Sequence, residues 1–384
     1  MHPIVAALCR WPRNETNIRT RTVRTDRKSH CTFSHQGRWH TFERSCYGTT
    51  LDTSGLTGIT LYEPGALTLV AQAGTHITEI ERALAAENQR LAFEPADLRD
   101  VLGTQGESTL GGVAASNASG PRRISAGACR DFMLGVRFVD GLGGIVKNGG
   151  RVMKNVTGYD LVKLMSGAHG TLGVLSEVSM KVLPNVEMQL CLRLEGLDPA
   201  GAVAAMSAAL GSPFEVSGAA QDADGIVLLR LEGFETSVRY RAAQLTDVLA
   251  NFGNVQTEDD QDMCTKIWRD IRDARRFKDT QGDLWRISVK PRDAPSILEA
   301  LSPSQAQLDW GGGLIWLAVP KGTDVRAKMT VTGHATLMRA SSDTMQTLVR
   351  FHPEPTPIAK ISADLRARFD PKGLFNSGLM GGLS

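Results

Sequence analysis

The sequence lacks the features that mark a membrane, metal-binding or nucleic-acid-binding protein. No apolar run approaches the roughly 20 residues that a membrane-spanning helix needs. The six cysteines are scattered, and no two stand at CxxC spacing, so neither a zinc site nor an iron–sulfur cluster is indicated. The net charge is only +2, which argues against a dedicated nucleic-acid binder. We expect unpaired thiols in a reducing cytosol.

The first 48 residues differ in composition from the rest of the 384-residue chain, which is long enough for two or three domains. Residues 1–47 contain nine lysines and arginines but three aspartates and glutamates, with four of the eight histidines. They show neither the alternation of a strand nor the period of a helix. We therefore expect residues 1–48 to be an atypical basic segment, disordered or wrongly translated.

Residues 49–186 have the pattern of a first α+β domain. The stretch GITLYEPGALTLVAQAG predicts two strands with a turn at residues 63–66. Ile77, Ile80 and Leu84 follow at helical spacing, and Thr75 is expected to cap that helix. A glycine-tipped hairpin (VRFVDGLGGIVKNGG), a short helix (TGYDLVKLMSGAHG) and a strand (TLGVLSEVSMKVLP) complete the predicted domain.

After Pro184, predicted strands and helices alternate. The expected strands are 190–197, 225–233 and 284–291, and a hairpin turns at 311–313; the expected helices are 199–210, 236–251, 262–277 and 295–301. This order predicts a smaller cap domain over residues 187–340, of the α+β class with an antiparallel sheet. Residues 341–384 are expected to form a basic amphipathic helix and a loop that return to the first domain.

Glycine is concentrated in two segments of the first domain, residues 103–123 and 148–177. Glycine lets a backbone approach a ligand closely, and successive N–H groups can converge on an anion such as a pyrophosphate. Neither segment contains the P-loop pattern GxxxxGK[ST] or the dinucleotide fingerprint G-x-G-x-x-G. Two interpretations stay open at this point: tight turns between strands, or a cradle for a large anionic cofactor.

Three stretches resemble the vanillyl-alcohol oxidase family of PCMH-type flavoproteins. STLGGVAASNASGP resembles the segment that passes the flavin ring and pyrophosphate, and KNVTGYDLVKLMSGAHGTLGVLSE resembles the family signature. ARFDPKGLFNSGLM resembles the closing motif, with Ser377 where proline is usual. The stretch GGRVMKNVTGYDL is similar to the corresponding stretch in the FAD-binding subunits of bacterial glycolate oxidases. The resemblance implies a PCMH-type FAD-binding domain over residues 49–186, with FAD as the cofactor.

The same resemblance implies a set of residues around FAD. The set comprises Thr109, Leu110, Gly111 and Gly112 at the pyrophosphate and ring, Gly170, Thr171, Gly173 and Val174 along the adenosine half, and Lys154, Asn155 and Tyr159 in a less defined part. Tyr159 is equally compatible with a buried ring whose hydroxyl is hydrogen-bonded. His169 is assigned no role.

The catalytic residues stay unknown from the sequence. A 2-hydroxy-acid dehydrogenase needs a base for the hydroxyl proton and a cation for the carboxylate. Relatives that oxidise D-lactate or D-2-hydroxyglutarate carry G-H-x-G-D-G-N, of which VTGHATLMRA keeps only Gly333 and His334. A structural role is favoured for His334 and His352. Arg286 could face the flavin from a cap strand, or lie in solvent.

The resemblance implies an FAD-dependent oxidoreductase that acts on CH–OH groups as a subunit of a glycolate oxidase complex. Its partners would be a catalytic FAD subunit and an iron–sulfur subunit, and electrons from glycolate would pass through FAD to the latter. The chain would be cytoplasmic, with at most a peripheral membrane association through the complex. The alternatives are a stand-alone FAD-dependent dehydrogenase for a D-2-hydroxy acid such as D-lactate, and a structural subunit without flavin.

The N-terminus departs from the family pattern. The family normally opens with a G-G-G-[ST] loop between two strands, and no such loop precedes Thr49. A transit sequence would explain a basic start but not the missing loop. A shift of one nucleotide across QGRWHT allows G-G-G-T at the expected place, so we predict that residues up to Gly48 are read in a shifted frame. The chain as written should then bind FAD poorly, and the gene sequence across these codons decides the question.

Overall fold

The computed structural model describes residues 19–22, 49–151 and 158–380. A five-stranded and an eight-stranded antiparallel sheet organise most of these residues, which confirms the predicted α+β class. We call residues 49–186, built on the five-stranded sheet, the N-terminal lobe. We call residues 187–340, built on the eight-stranded sheet, the cap lobe.

The strands of the first part of the chain pair in the antiparallel sense. Strands β1 to β9 span Arg19–Thr22, Thr49–Asp52, Ile59–Glu63, Thr68–Gln72, Gln89–Arg90, Met133–Val139, Ile145–Gly149, Val174–Lys181 and Leu183–Pro184. The five-stranded sheet has the order β3-β4-β8-β6-β7, so the apolar strand β8 lies at its centre. The strand β1 pairs with β2, although we expected no regular structure before residue 49.

The helices of the N-terminal lobe are short and cover the sheet. Helices α1 to α6 span Ile77–Ala86, Arg99–Leu102, Leu110–Ser116, Arg123–Ala126, Cys129–Phe132 and Leu161–Met165. The predicted apolar stripe of α1 is confirmed, because Ile77, Ile80 and Leu84 are buried. The predicted cap is wrong: α1 begins after His76, and the Thr75 hydroxyl instead bonds the backbone of Gly58.

The cap lobe has helices on both faces of its sheet. Strands β10 to β17 span Met188–Leu194, Gly218–Gln221, Val227–Gly233, Val255–Glu258, Asp283–Ser288, Gln305–Asp309, Leu314–Val319 and His334–Arg339. Helices α7 to α11 span Pro199–Leu210, Glu235–Leu249, Gln261–Arg272, Ala294–Leu301 and Val325–Lys328. The sheet order is β13-β10-β12-β11-β15-β16-β14-β17.

The two faces of the cap sheet have different partners. Alternate side chains such as Ile287, Ile315 and Leu317 pack with α7, α8 and α10 in the main core of the lobe. The opposite face packs Leu314 and Trp316 against Leu98 and Val101 of the N-terminal lobe, together with other apolar residues. That second face therefore forms the contact between the lobes.

The end of the described chain crosses back to the N-terminal lobe. Helices α12 and α13 span Ser342–Thr347 and Thr356–Phe369. After α13, the amide of Gly141 donates to the carbonyl of Phe369 at 2.8 Å. A Cβ at residue 141 would lie 2.5 Å from a carboxylate oxygen of Asp370, so only glycine allows this approach. Within the described ranges, no helix is long and apolar enough to cross a bilayer.

Candidate functional site

Four of the predicted cofactor residues lie together at the start of α3. Thr109 caps the helix, because its hydroxyl accepts a hydrogen bond from the amide of Gly112 at 3.3 Å. Leu110, Gly111 and Gly112 are buried. The amide of Gly111 donates to the carbonyl of Ala73 at 2.7 Å, and a Cβ at residue 111 would lie 2.7 Å from the Ala73 Cβ. Packing of α3 therefore already requires glycine at position 111.

The end of α3 holds the second glycine-rich segment. The carbonyl of Ala114 accepts from the amide of Gly167 at 3.3 Å, and the carbonyl of Ala115 accepts from the amide of His169 at 2.9 Å. The side-chain amide of Asn376, from the loop after α13, donates to the carbonyl of His169 at 2.8 Å. The three stretches that resemble the flavoprotein family therefore converge around one short helix.

The predicted residues 170–174 form the turn into β8. Gly170 has a positive φ of 69°, and the hydroxyl of Thr171 donates to the carbonyl of Ala168 at 2.7 Å. A Cβ at Gly173 would lie 2.8 Å from the carbonyl oxygen of Val139, so packing against β6 fixes this glycine. Val174 is the first residue of β8 and is buried.

The position of the Tyr159 side chain contradicts one of the two predictions made for it. Its side chain is 88% exposed, so a buried ring with a bonded hydroxyl is wrong. The turn is held by Asn148 instead, whose side chain donates to the carbonyl of Tyr159 and accepts from the amide of Leu161, each at 3.0 Å. Lys154 and Asn155 lie outside the described residues.

A small cavity of about 110 Å³ lies where the C-terminal loop meets Thr171. Asp370 lines it and is 6% exposed. One carboxylate oxygen accepts from the amide of Phe375 at 2.7 Å, while the other is buried and has no hydrogen-bond partner within the described ranges. A buried acceptor without a donor is costly. A hydroxyl or amino group of a nucleotide would supply that donor, so the chemistry of this site suits one end of FAD, whose whole volume exceeds that of the cavity.

A network of buried charges joins the lobes, and we call Glu94, Arg122, Arg230 and Glu232 the ionic seam. Arg230 is buried and donates two hydrogen bonds to Glu94, at 2.8 and 2.9 Å. Arg122 contacts Glu94 at 3.0 Å and Glu232 at 2.6 Å. Burial alone would raise the pKa of each glutamate, but Arg230 and Arg122 hold both pKa values below their usual range.

Beside the ionic seam, two arginines share one indole ring. The Trp310 Nε1 donates to the carbonyl of Gly120 at 3.1 Å and so ties the cap lobe to the segment after α3. The guanidinium of Arg123, from the N-terminal lobe, lies 4.8 Å from the ring centroid, and that of Arg286, from β14, lies 5.1 Å away. Burial, and then Arg123, lower the pKa of Arg286 to about 10.

Asp309 is a buried acid next to this pair. It is 2% exposed, and one of its oxygens accepts from the amide of Trp310 at 2.7 Å. Burial raises its pKa to about 7, although Arg230 and Arg286 oppose the shift. Asp309 is therefore harder to ionise than an exposed aspartate.

The histidines of the cap side have structural neighbours. His334 pairs with Ser288 across β14 and β17, and its ring lies 5.5 Å from the ring of His352. The Nδ1 of His352 accepts from the amide of Ala335 at 3.3 Å. Within the described part of the chain, neither ring has a carboxylate that orients it, as the base of a dehydrogenase would require.

Comparisons with known proteins identify the family of the chain. A family model described as an FAD binding domain matches residues 6–149. Glycolate oxidase subunit GlcE of Escherichia coli strain K12 is 36% identical over 340 residues, which is 88% of each chain. The chain belongs to the GlcE family of glycolate oxidase subunits. Glycolate oxidase subunit GlcD of Bacillus subtilis strain 168 is 32% identical over 33% of this chain and 25% of its own.

Membership of the GlcE family confirms the predicted cofactor, FAD, and the predicted class, a glycolate oxidase subunit that is an FAD-dependent oxidoreductase acting on CH–OH groups. A solved structure of chitooligosaccharide oxidase matches the fold with a TM-score of 0.63 at 16% identity, covering 92% of this chain and 87% of its own. The match to the FAD binding domain begins inside the atypical segment, and the frame of residues 1–48 stays a prediction.

Sequence reasoning did not find the ionic seam. Arg230 stands between Leu229 and Leu231 in the strand segment VLLRLEG, which also carries Glu232, and Glu94 stands in the apolar stretch LAFEP. A charge at a buried position of an apolar strand requires a partner. That signal predicts a partner but not its identity, because 136 residues separate the two side chains.

Proposed function

We propose that this chain is the subunit through which a glycolate oxidase complex passes electrons from glycolate, by way of FAD, to an iron–sulfur partner subunit. The observation that supports the proposal is the convergence of the three family segments at α3, beside a cavity with an unpaired buried acceptor on Asp370. When bound, FAD supplies the redox chemistry, and the protein supplies binding and orientation.

The residues proposed to hold FAD come from all three segments. The start of α3 (Thr109 to Gly112), the turn at Thr171 and the loop around Asn376 bind and orient it, with Lys154 and Asn155 from the part outside the described residues. Trp310 excludes water from the contact between the lobes, because its indole closes onto Gly120.

The surroundings of the two cap-side histidines bear on which subunit of the proposed complex oxidises glycolate. Within the described part of the chain, His334 and His352 have no carboxylate that would orient a base. This supports a second FAD subunit as the place where hydride leaves glycolate. In this proposal, the present chain passes the resulting electrons on to the iron–sulfur partner. We also propose a cytoplasmic complex whose contact with a membrane is peripheral and made through its partners.

Flavin content and reduction test the proposal. We expect the purified chain, supplied with excess FAD to offset the weak binding predicted above, to take up the flavin, to stay oxidised when glycolate alone is added, and to be reduced by glycolate when the partner subunits are present. Reduction by glycolate or D-lactate without partners would instead support a stand-alone dehydrogenase, the candidate that Arg286 favours. A colourless chain that still restores the complex would contradict the proposal and support a structural subunit.

A further inference from the structure

A polar cavity of about 130 Å³, which we call the sheet cavity, lies on the five-stranded sheet of the N-terminal lobe and is lined by residues of all five strands. Side chains of a strand alternate between the two faces of a sheet. Val136 of β6 and Val178 of β8 pack with the helices in the core of the lobe, so Gly135 and Ser179 stand on the other face. Val174, the predicted adenosine contact on β8, is about 17 Å from Ser179 along the strand. The sheet cavity is therefore separate from the cofactor cradle.

The floor of the sheet cavity contains a buried hydroxyl. Ser179 is 9% exposed, and within the described ranges its hydroxyl makes no hydrogen bond. The residues directly across from it supply no acceptor side chain, because Gly135 on β6 has no side chain and Val70 on β4 has an apolar one. A buried polar group without a partner is costly. An acceptor that enters the cavity would remove this cost.

The rim of the sheet cavity carries an excess of positive charge. Arg137 on β6 stands across from Glu177 on β8, so these two charges balance. The Glu177 carboxylate also accepts from the hydroxyl of Thr60 at 3.4 Å. Lys147, across from Arg137 on β7, and Arg151 are exposed, and neither makes an ion pair with another described residue. Two cations are therefore left without a counter-charge.

Two unbalanced cations and one hydroxyl donor fit a dianion that has several acceptor oxygens. A phosphate group carries close to two negative charges at neutral pH and has oxygens that accept hydrogen bonds on every side. A carboxylate would neutralise only one of the two cations. The cavity is smaller than the roughly 300 Å³ at which pockets for whole organic ligands begin. It therefore has room for the phosphate group rather than for a nucleotide.

We propose that the sheet cavity is an anion site, in which a phosphate group binds to the Ser179 hydroxyl, Lys147 and Arg151. The group comes either from inorganic phosphate or from the phosphate end of a phosphomonoester, since both present the same dianion. Binding involves no covalent step. It neutralises the two cations and supplies the acceptor that the buried hydroxyl lacks.

Inorganic phosphate and glycerol 3-phosphate are the probes. We would titrate each into the purified full chain, supplied with excess FAD, by calorimetry at pH 8 and constant ionic strength, and measure FAD content separately. Ser179→Ala removes a hydrogen bond to a charged acceptor and should weaken phosphate binding by about tenfold or more. Lys147→Gln and Arg151→Gln remove exposed charges and should each weaken it by a few-fold. FAD content should stay that of the parent in all three variants.

Lys181→Gln is the matched control. Lys181 stands on the same strand and the same face as Ser179, two residues further on, but it does not line the sheet cavity. Its variant should bind phosphate like the parent. Lys147 and Arg151 are exposed, so their variants keep the proposal testable even if Ser179→Ala does not fold. Tighter binding of the inorganic ion indicates a free-ion site, and tighter binding of the ester indicates a phosphorylated metabolite.

Four outcomes would overturn the anion site. They are no phosphate binding by the parent at millimolar concentration, equal phosphate affinity in the parent and in the Ser179 and Lys147 variants, equal binding of chloride, or loss of FAD from these variants, which would assign the residues to the cofactor. The site does not depend on the proposed function. A chain that takes up no FAD yet binds phosphate through Ser179 would refute the proposed function and leave the anion site standing.

Discussion

Replacing Arg230 with methionine tests the ionic seam. The Arg230 side chain is 1% exposed and lies between Glu94, at 2.8 Å, and Glu232, at 3.5 Å. Methionine fills much of the same volume but leaves two buried carboxylates with Arg122 and Arg90 as their remaining partners. Removing one partner of a buried ion pair costs about 3–5 kcal/mol. We expect a loss of that size in the free energy of unfolding, measured in urea at pH 8.

The stability difference between Arg230→Met and the parent should also depend on pH. In the parent, the pKa values of Glu94 and Glu232 are lowered, so the stability they contribute is present above the unfolded-state pKa and is lost as the pH falls through the folded values. Without Arg230, both glutamates lose the cation that lowers their pKa most, so both pKa values rise relative to the parent and protonation at low pH costs the variant less stability. The gap in stability between Arg230→Met and the parent should therefore narrow from pH 8 to pH 5.

Arg239→Met is the control for that experiment. Arg239 also contacts two acids, Glu235 at 2.9 Å and Asp259 at 3.0 Å, but its side chain is 52% exposed. Exposed ion pairs contribute little, so its loss should leave the urea midpoint almost unchanged. The reasoning would be refuted if both variants unfolded at the same urea concentration, or if the gap for Arg230→Met stayed constant between pH 8 and pH 5.

Other changes separate packing from function. Gly111→Ala should lower both the melting temperature and FAD content, because its Cβ meets Ala73 at 2.7 Å. Gly112→Val should lower FAD content more than the melting temperature of the apo chain, because a branched side chain keeps the backbone from approaching the cofactor. Burial lowers the pKa of His169 to about 4, so this histidine should cost the parent about 3 kcal/mol of stability as the pH falls from 6.5 to 4. His169→Asn should remove that contribution, which urea midpoints measured across this pH range would show. His334→Ala should leave turnover of the complex within a few-fold of normal; a drop of ~10²–10⁴-fold would mark a general base.

Local patterns in the sequence predicted the elements that depend on local rules. The apolar stripe of α1 and the glycine hairpin at 311–313 are found as expected, because helical spacing and positive φ at Gly311 and Gly312 are properties of neighbouring residues. The strand Gly218–Gln221 was missed, since four small or polar residues carry no periodic signal. It forms only because β12 and β15 supply its partners.

The candidate site was predictable only where a motif carried it. The segments at Thr109–Gly112 and Thr171 were found from their resemblance to a family, and the structure gives some of their glycines a packing role that the sequence could not separate from a ligand role. The pairing of Arg123 with Arg286 has no sequence signal, because Trp310 brings them together from different lobes.

The return of the C-terminal loop has a consequence for synthesis. Gly141 and His169, early in the chain, obtain their partners Phe369 and Asn376 only after the whole cap lobe has been made. At roughly 5–20 residues per second, the ribosome needs about 10–40 s to pass from the end of the N-terminal lobe to these residues. A nascent chain therefore has an open cofactor cradle during that interval, and the lobe made first is the one completed last.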